Sequence, residues 1–230
     1  MPTVFALSVK NSIRSPASRT DTAFFETSPF VHTQLVLFDL GGVLIELGGV
    51  EEFRRLVGAG NEDEVWRRWL SSPSVRRFER GLCDRQAFAT GMVEENDLEM
   101  TAGDFLERFG AWPRGMMPGA SELVSSLATG LQRACLSNTN ELHWREQRDA
   151  ESIQSLFETR FLSFELGLVK PDREIFEFVL RATGLPGEAV FFLDDNRINV
   201  DGALDAGLDA HRAVGVAAAR SILEERGLLL

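Results

Sequence analysis

The amino-acid sequence predicts an α/β protein with a doubly wound parallel sheet and a helical segment inserted after the first strand. Two observations carry this prediction. Short apolar runs at residues 35–38 and 190–193 have the continuous hydrophobicity of parallel strands that are buried on both faces. From residue 117 onward, apolar runs alternate with segments of helical period, and this alternation is typical of a parallel sheet with right-handed crossovers.

The remaining elements follow from hydrophobic periodicity. Between residues 48 and 116, apolar residues recur three or four positions apart without a clear strand pattern, which predicts a helical insertion. Residues 112–119 are rich in Pro and Gly and are predicted to be the return hinge. Further strands are predicted at residues 131–136, 161–164 and 210–214, and helices at residues 121–128, 143–157, 172–182 and 199–206.

Composition limits the classes of partner. The chain has 230 residues, enough for a core domain with a smaller inserted domain. Its net charge of −11 argues against binding to nucleic acid or to an anionic membrane. No apolar stretch is long enough to span a bilayer. Two cysteines indicate no disulfide framework, so we expect a cytoplasmic protein; the sequence predicts no oligomeric state.

Residues 1–33 differ from the rest of the chain. They are rich in Ser and Thr, and Lys10, Arg14 and Arg19 precede the first acidic residue, Asp21. Such a composition is similar to an organellar transit peptide. We favour a different interpretation, a disordered N-terminal extension or an upstream start codon ahead of a core that begins near residue 34.

Polar side chains follow three of the predicted strands. Asp39 follows the first strand, Ser137 the second, and the pair Asp194 and Asp195 the fourth. In open α/β sheets, ligands bind at the carboxyl ends of the strands. Lys170 precedes a proline that is well placed to begin a helix. A carboxylate nucleophile, a hydroxyl, a cation and an acidic pair together suit phosphoryl transfer.

These four segments, in this order, resemble the motifs of the haloacid dehalogenase superfamily. The resemblance runs from about residue 34 to residue 214. The phrases at residues 136–143, 191–196 and 78–81 are similar to the subgroup that contains bacterial α-D-glucose-1-phosphate phosphatases. The resemblance implies a Rossmann-like core of residues 34–47 and 117–230, with residues 48–116 as an α-helical cap domain that closes over the site.

The resemblance also implies roles for individual residues. Asp39 would be the nucleophile and would form an aspartyl-phosphate, which splits one difficult hydrolysis into two steps. Mg²⁺ would be held by Asp39, by the backbone carbonyl of Gly41 and by Asp194 or Asp195, with the resemblance favouring Asp195. The implied phosphate-binding residues are Ser137, Asn138 and Lys170.

Gly41 departs from the pattern of the superfamily. Most of its phosphatases carry a second Asp there, which protonates the leaving oxygen and then activates water. General acid–base help of this kind is typically worth about 10²–10⁴-fold in rate. Either the leaving group is comparatively acidic, as in a sugar 1-phosphate, or another group substitutes, with Glu46 and His143 as candidates. A packing role for His143 is an equal alternative. Other residues that could line a substrate site are Trp66, Arg77 and Arg80.

The predicted activity is therefore Mg²⁺-dependent hydrolysis of a small phosphorylated metabolite, with a sugar phosphate first in line. A metal-independent 2-haloacid dehalogenase would use Asp39 on carbon instead. The pair Asp194 and Asp195 argues against this alternative, since uncompensated carboxylates beside Asp39 would repel one another. A non-catalytic sensor of a phosphorylated ligand is favoured only by Gly41.

Overall fold

The computed structural model describes residues 32–230, and its centre is a five-stranded parallel sheet. The predicted α/β fold with a doubly wound parallel sheet is confirmed. In chain order, the sheet strands are β1 (Leu35–Phe38), β4 (Gln132–Ser137), β5 (Thr159–Leu162), β6 (Val190–Asp194) and β7 (Asp209–Arg212). Their spatial order is β5-β4-β1-β6-β7, so β1 lies in the middle. Leu37 pairs with Ala134 of β4 on one side and with Phe192 of β6 on the other.

Within residues 32–230, seven α-helices accompany this sheet. They are α6 (Ala120–Ser125), α7 (Glu141–Glu146), α8 (Ala150–Ser155), α9 (Ser163–Leu166), α10 (Arg173–Thr183), α11 (Arg197–Asp205) and α12 (Gly215–Glu225). Side chains of β1 alternate between two cores, as the period of a strand requires. Val36 and Phe38 lie in a core with residues of α6 and α12, whereas Leu35 and Leu37 lie in a core with residues of α10 and α11.

The helical insertion consists of five helices, α1 (Gly49–Leu56), α2 (Glu62–Ser71), α3 (Pro73–Glu79), α4 (Arg85–Glu95) and α5 (Ala102–Gly110). Four of them begin at a polar N-cap residue. Its side chain accepts a hydrogen bond from a backbone N–H group of the first turn that would otherwise be unpaired. The insertion has a third core, rich in aromatic rings such as Phe53, Trp69, Phe88, Phe105 and Phe109. Whether it is a separate domain bounded at residues 48 and 116 stays a prediction.

A two-stranded antiparallel ribbon joins the insertion to the sheet. It pairs β2 (Ile45–Leu47) with β3 (Pro113–Met116). The sequence predicted no strand in this part of the chain and a hinge at residues 112–119. Residues 113–116 contain Pro and Gly and no β-branched residue, so they carry no local strand signal. Pairing with β2 is a tertiary effect, and it places the two connections side by side.

Other differences from the predicted elements are local. The helix predicted at residues 143–157 is two short helices, α7 and α8, and the strand predicted at 161–164 ends at Leu162, where α9 follows. Helix α12 was not predicted. Within residues 32–230, no helix is long and apolar enough to cross a bilayer. The predictions for the N-terminal extension at residues 1–33 fall almost wholly outside the described residues.

Candidate active site

The predicted polar residues converge at one edge of the sheet. Asp39 directly follows β1, Ser137 is the last residue of β4, and Asp194 is the last residue of β6. Because β4 and β6 both pair with β1 in parallel, their carboxyl ends meet beside Asp39. This edge is where ligands bind in open α/β sheets.

Lys170 is the cation at the centre of this edge, and only 1% of its surface is exposed. Its Nζ lies 2.9 Å from Oδ1 of Asp39 and 2.6 Å from Oδ2 of Asp194, and it donates to the carbonyl oxygen of Leu136 at 3.0 Å. Burial alone would lower the pKa of the ammonium group, but the two carboxylates outweigh burial and hold this pKa above its ordinary value. Lys170 is therefore charged, despite its burial.

Asn138 holds the backbone of Lys170 in place. Its side-chain oxygen accepts a hydrogen bond from the Lys170 N–H at 2.8 Å, and its amide nitrogen donates to the Lys170 carbonyl at 2.9 Å. The sequence predicted a phosphate-binding role for Asn138 and did not predict this pairing. Ser137 is buried at the end of β4, and its role in phosphate binding stays a prediction.

Three carboxylates gather around Asp39. One oxygen from each of Asp39, Asp194 and Asp195 lies within 4.8 Å of the others, close enough for a common metal ion. Burial raises the pKa of Asp39 and of Asp195 above their ordinary values, and the charges of neighbouring carboxylates raise both further. Like charges held this close favour a bound cation.

The two members of the acidic pair differ in their contacts. Asp194 is fully buried, and both of its oxygens accept hydrogen bonds from Asn199 Nδ2, at 3.1 and 3.2 Å. Its Oδ1 also accepts from the Asn196 N–H at 2.9 Å, and its Oδ2 pairs with Lys170. Asp195 instead lines the cavity in front of Asp39. Asp195 is therefore the better placed of the two to bind a metal directly.

The residues present fit a magnesium ion. The cluster offers oxygen atoms only, which is the donor set that Mg²⁺ prefers. Among the described residues, the buried Oδ1 of Asn199 has no hydrogen-bond partner. This oxygen is available to accept a hydrogen bond from a water molecule of a hydrated ion. A Cβ on Gly42 would lie 2.1 Å from Asp195 Oδ2, so a glycine there leaves room for that carboxylate.

His143 and Glu46 were the predicted substitutes for an acid–base group. His143 stacks on Phe109, and its Nε2 donates to the Phe109 carbonyl at 2.8 Å, while Nδ1 contacts Asn140 Nδ2 at 3.3 Å. Burial lowers the pKa of His143 to about 4, against a weaker opposing effect of that carbonyl. The ring is neutral and both of its nitrogens have partners. These contacts favour a packing role for His143 over a role in proton transfer.

Glu46 is not placed for chemistry at Asp39. It is exposed on β2 and forms an ion pair with Arg114 at 3.0 Å. It is absent from the lining of the cavity in front of Asp39. The alternation of a strand explains this, because Leu47, the next residue of β2, does line that cavity. Glu46 lines a neighbouring cavity with Leu47 and Asp195, so its role at the substrate site stays a prediction.

The cavity in front of Asp39 lies between the strand ends and the helical insertion. Asp39, Lys170 and Asp195 line one side. Aromatic residues of the insertion and of the chain just after it line the other, including Phe53, Trp66, Trp69, Phe109 and Trp112. Of the insertion residues considered from the sequence, Trp66 lines this cavity, whereas Arg77 and Arg80 do not.

One carboxyl group of the insertion also lines this cavity, and the sequence did not single it out. Glu79 is 6% exposed and accepts a hydrogen bond from Trp69 Nε1 at 3.0 Å. It appeared in the sequence only as part of the phrase at residues 78–81. A glutamate in the last turn of a helix rich in charged residues has no local signal of burial.

Comparisons with known proteins agree with this geometry. Residues 33–207 match the family model of the haloacid dehalogenase-like hydrolases. The chain is 26% identical over 185 residues to Phosphatase MT3486 of Mycobacterium tuberculosis (strain CDC 1551 / Oshkosh), covering 76% of this chain and 85% of that protein.

Solved structures share the fold. A HAD family enzyme from Bacteroides thetaiotaomicron matches with a TM-score of 0.60 and 25% identity over 79% of this chain and 94% of that one. Another structure of that enzyme is a complex with magnesium and inorganic phosphate, with a TM-score of 0.59, 24% identity and the same coverage. The L-2-haloacid dehalogenase from Xanthobacter autotrophicus matches with a TM-score of 0.55 and 22% identity over 79% of this chain and 77% of that one.

Proposed function

The chain belongs to the haloacid dehalogenase-like hydrolases, and within that family we propose that it is a magnesium-dependent phosphomonoester hydrolase. The observation that carries the proposal is the arrangement around Asp39. Its carboxylate is 2.9 Å from the buried Lys170 ammonium and is grouped with Asp194 and Asp195 within reach of one cation. A nucleophile, a fixed positive charge and a metal site are the parts that phosphoryl transfer needs.

In this proposal, Asp39 attacks phosphorus and forms an aspartyl-phosphate, which water then hydrolyses. Asp39 and Asp195 would hold the magnesium ion, with the Gly41 carbonyl as a further ligand and Asp194 behind them. The ion, when bound, supplies positive charge to the oxygens of the transferring phosphoryl group. Asp194 accepts a hydrogen bond from the Lys170 ammonium group. This ion pair keeps the ammonium group charged and holds it beside Asp39.

The proposed phosphate-binding residues are Lys170, Ser137 and Asn138. Lys170 offers a point charge toward the phosphoryl oxygens, and Ser137 and Asn138 lie at the carboxyl end of β4, the strand that pairs with β1. The helical insertion acts as a cap domain, since its aromatic residues line the cavity opposite Asp39. Excluding water from the site would strengthen these electrostatic interactions.

The substrate we propose is a small phosphorylated metabolite, with a sugar phosphate as the first candidate. Phosphatase MT3486 and the phosphate-bound Bacteroides enzyme support phosphate chemistry in relatives. The indole and phenyl rings of the cavity wall offer apolar faces, which suit either the C–H face of a sugar ring or an aromatic leaving group.

The dehalogenase alternative has a specific observation against it. Among the described residues, Lys170 is the only cation that forms an ion pair with any of the three carboxylates, which lie within 4.8 Å of one another. A metal-independent enzyme would leave this excess of negative charge uncompensated. The sensor alternative rests on Gly41 alone.

A panel of phosphorylated metabolites and 4-nitrophenyl phosphate, assayed with Mg²⁺ and with EDTA, tests the proposal. We expect turnover that needs Mg²⁺ and disappears in Asp39→Asn, while Asp63→Asn, an exposed substitution on α2, retains it. Halide release from 2-haloacids in EDTA would establish the dehalogenase instead. Equal background rates for the wild type and Asp39→Asn would instead support the non-catalytic sensor of a phosphorylated ligand.

A further inference from the structure

Glu79 is a buried carboxyl group without a cationic partner among residues 32–230. It lies in the last turn of α3, and 6% of its surface is exposed. No Lys, Arg or His of residues 32–230 forms an ion pair with it. Buried charges are ordinarily paired, so an unpaired one marks either a neutral group or a functional one.

One oxygen of Glu79 is held and the other is not. Oε1 accepts the hydrogen bond from Trp69 Nε1 at 3.0 Å, and the Trp69 ring is itself buried. Oε2 accepts no hydrogen bond from any residue that the structure describes. The side chain is therefore oriented by Trp69 and retains one oxygen for a further partner in the cavity.

One cavity brings Glu79 together with the proposed nucleophile. Glu79, Asp39 and Lys170 line the same cavity, although Glu79 comes from the insertion and the other two from the sheet edge. The charged and titratable groups that act on Glu79 are Lys170 and Asp39 across the cavity and Arg76 on its own helix. Other titratable groups of the lining are His143 and Asp195.

The protonation state of Glu79 is adjustable near neutral pH. Burial raises the pKa of Glu79 to about 7, against the smaller opposing effects of the Trp69 hydrogen bond and the Lys170 charge. An acid–base group works best when its pKa lies near the working pH, because both forms are then available. At Gly41 the chain has no side chain that could transfer a proton.

We propose that Glu79 is the proton-transferring residue of this site, supplied by the insertion in place of the missing side chain at Gly41. This inference rests on the proposed phosphatase activity. It assigns to the helical insertion a chemical task, in addition to covering the site.

The two half-reactions balance with Glu79 in this role. Asp39 attacks phosphorus, the bond from phosphorus to the leaving oxygen breaks, and that oxygen takes the proton of the Glu79 carboxyl group and leaves as an alcohol. The resulting Glu79 carboxylate then takes a proton from water as the water oxygen attacks phosphorus. The bond from phosphorus to Asp39 breaks, which releases inorganic phosphate, free Asp39 and protonated Glu79.

A series of leaving groups tests the proton donor. We expect Glu79→Gln to lower kcat/KM for an alkyl phosphate by about 10²–10⁴-fold and for 4-nitrophenyl phosphate by far less, because nitrophenolate leaves without a proton. The glutamine side chain of this variant still offers Trp69 an oxygen acceptor, so the packing is preserved. In the wild type, kcat/KM for the alkyl phosphate should fall as pH rises above the pKa of Glu79, because the acid loses its proton. This fall should be absent from the pH profile of Glu79→Gln.

The second half-reaction gives an independent readout. Without a base for water, Glu79→Gln should accumulate the aspartyl-phosphate and release a burst of nitrophenol close to one equivalent, followed by slow turnover. Trp69→Phe keeps the carboxyl group but removes the hydrogen bond that orients it, so it should show a weaker form of the same leaving-group-dependent loss. Asp63→Asn, an exposed substitution on α2, is the control and should show neither a burst nor a leaving-group-dependent loss.

A merely structural role for Glu79 predicts a different pattern. Equal losses of kcat/KM on all leaving groups, with no burst, would overturn the inference. If Glu79→Gln fails to fold, Glu79→Asp carries the same comparison, with a leaving-group-dependent loss supporting the role and a uniform loss opposing it. Failure of the proposed function is distinct, since turnover would then be independent of Asp39.

Discussion

The ammonium nitrogen of Lys170 lies 2.6 Å from Oδ2 of Asp194, and both side chains are almost completely buried. This ion pair also reaches Asp39, at 2.9 Å from the same nitrogen. Two carboxylates therefore depend on one buried cation. The pair connects the structural stability of the sheet edge to the charge state of the proposed nucleophile.

Removing Lys170 should destabilise the fold strongly. Lys170→Met leaves Asp194 and Asp39 buried without their cation, and breaking a buried pair in this way typically costs about 3–5 kcal/mol. Urea unfolding monitored by circular dichroism measures the change. Arg173→Met is the matched control, since Arg173 forms an exposed ion pair with Glu177 at 2.7 Å. A loss no larger than that of the control would contradict the central position of Lys170.

Gly42 should be needed for the metal site in a way that another left-handed glycine is not. Gly42 has φ +71° and Gly58 has φ +63°, so an alanine at either position carries a backbone cost of about 1–2 kcal/mol. At Gly42 the added Cβ also meets Asp195 Oδ2, whereas at Gly58 it meets open space. We expect both variants to lose stability, but only Gly42→Ala to weaken Mg²⁺ binding measured by calorimetry. Equal Mg²⁺ affinities would show that the Asp195 carboxylate has no role in the site.

Asp195→Asn should be more stable than the wild type without metal, by a margin that Mg²⁺ reduces. Burial and the Asp39 and Asp194 charges raise the pKa of Asp195, so its stabilising protonated form is present at low pH and is lost as pH rises through the folded pKa. In EDTA at pH 9, the asparagine variant should therefore melt higher than the wild type.

With saturating Mg²⁺ this margin should narrow, because the wild type gains about 2.7 kcal/mol when the ion is at 100 times its dissociation constant. The variant has lost a ligand and should gain less. Asp201→Asn, an exposed substitution on α11, is the control and should respond to Mg²⁺ as the wild type does. An unchanged Mg²⁺ response in Asp195→Asn would refute its role as a ligand.

Glu79 should make the fold less stable in alkali. Its pKa rises from 4.5 in the unfolded chain to about 7 in the folded chain. The folded state then binds the proton more tightly, so this contribution is fully present below pH 4.5 and is lost as pH rises through 7. Glu79→Gln escapes this loss and should exceed the wild type in stability at pH 9 by up to about 3 kcal/mol, relative to their difference at pH 4.

Denaturant titrations of both proteins across this pH range measure the difference. Glu99→Gln, on an exposed residue, is the matched control and should parallel the wild type. Parallel curves for Glu79→Gln as well would mean that Glu79 ionises in the folded state as easily as in the unfolded chain. The proposed proton transfer would then lose its physical basis.

Much of the sheet edge was predictable because its signals are local. The apolar run before Asp39 and the run before Asp194 identify buried parallel strands, and the carboxyl ends of such strands meet at one edge. The Lys170 position was predicted from the family resemblance, and the structure places its ammonium group between Asp39 and Asp194. The roles of these residues in catalysis stay predictions.

The different contacts of Asp194 and Asp195 were not predictable from the pair alone. Asp194 is still part of β6 and faces Lys170 and Asn199, whereas Asp195, one residue later, lines the cavity. Which of two adjacent side chains faces the ligand depends on where the strand ends, and element boundaries are poorly determined by local sequence. The same limitation applies to Glu46 on β2, which faces solvent.

The sequence by itself determined that the sheet strands alternate with helices and that Asp39, Ser137 and the pair Asp194 and Asp195 lie near strand ends, because both depend on periodicity and on neighbours along the chain. Only the tertiary structure decided that Glu79 and the aromatic wall line one cavity with Asp39. The helical period shows which residues share a helix face, but not how five helices and a two-stranded ribbon dock over a sheet. That docking depends on packing between residues distant in the chain, and it placed the Glu79 carboxyl group in the same cavity as the proposed nucleophile.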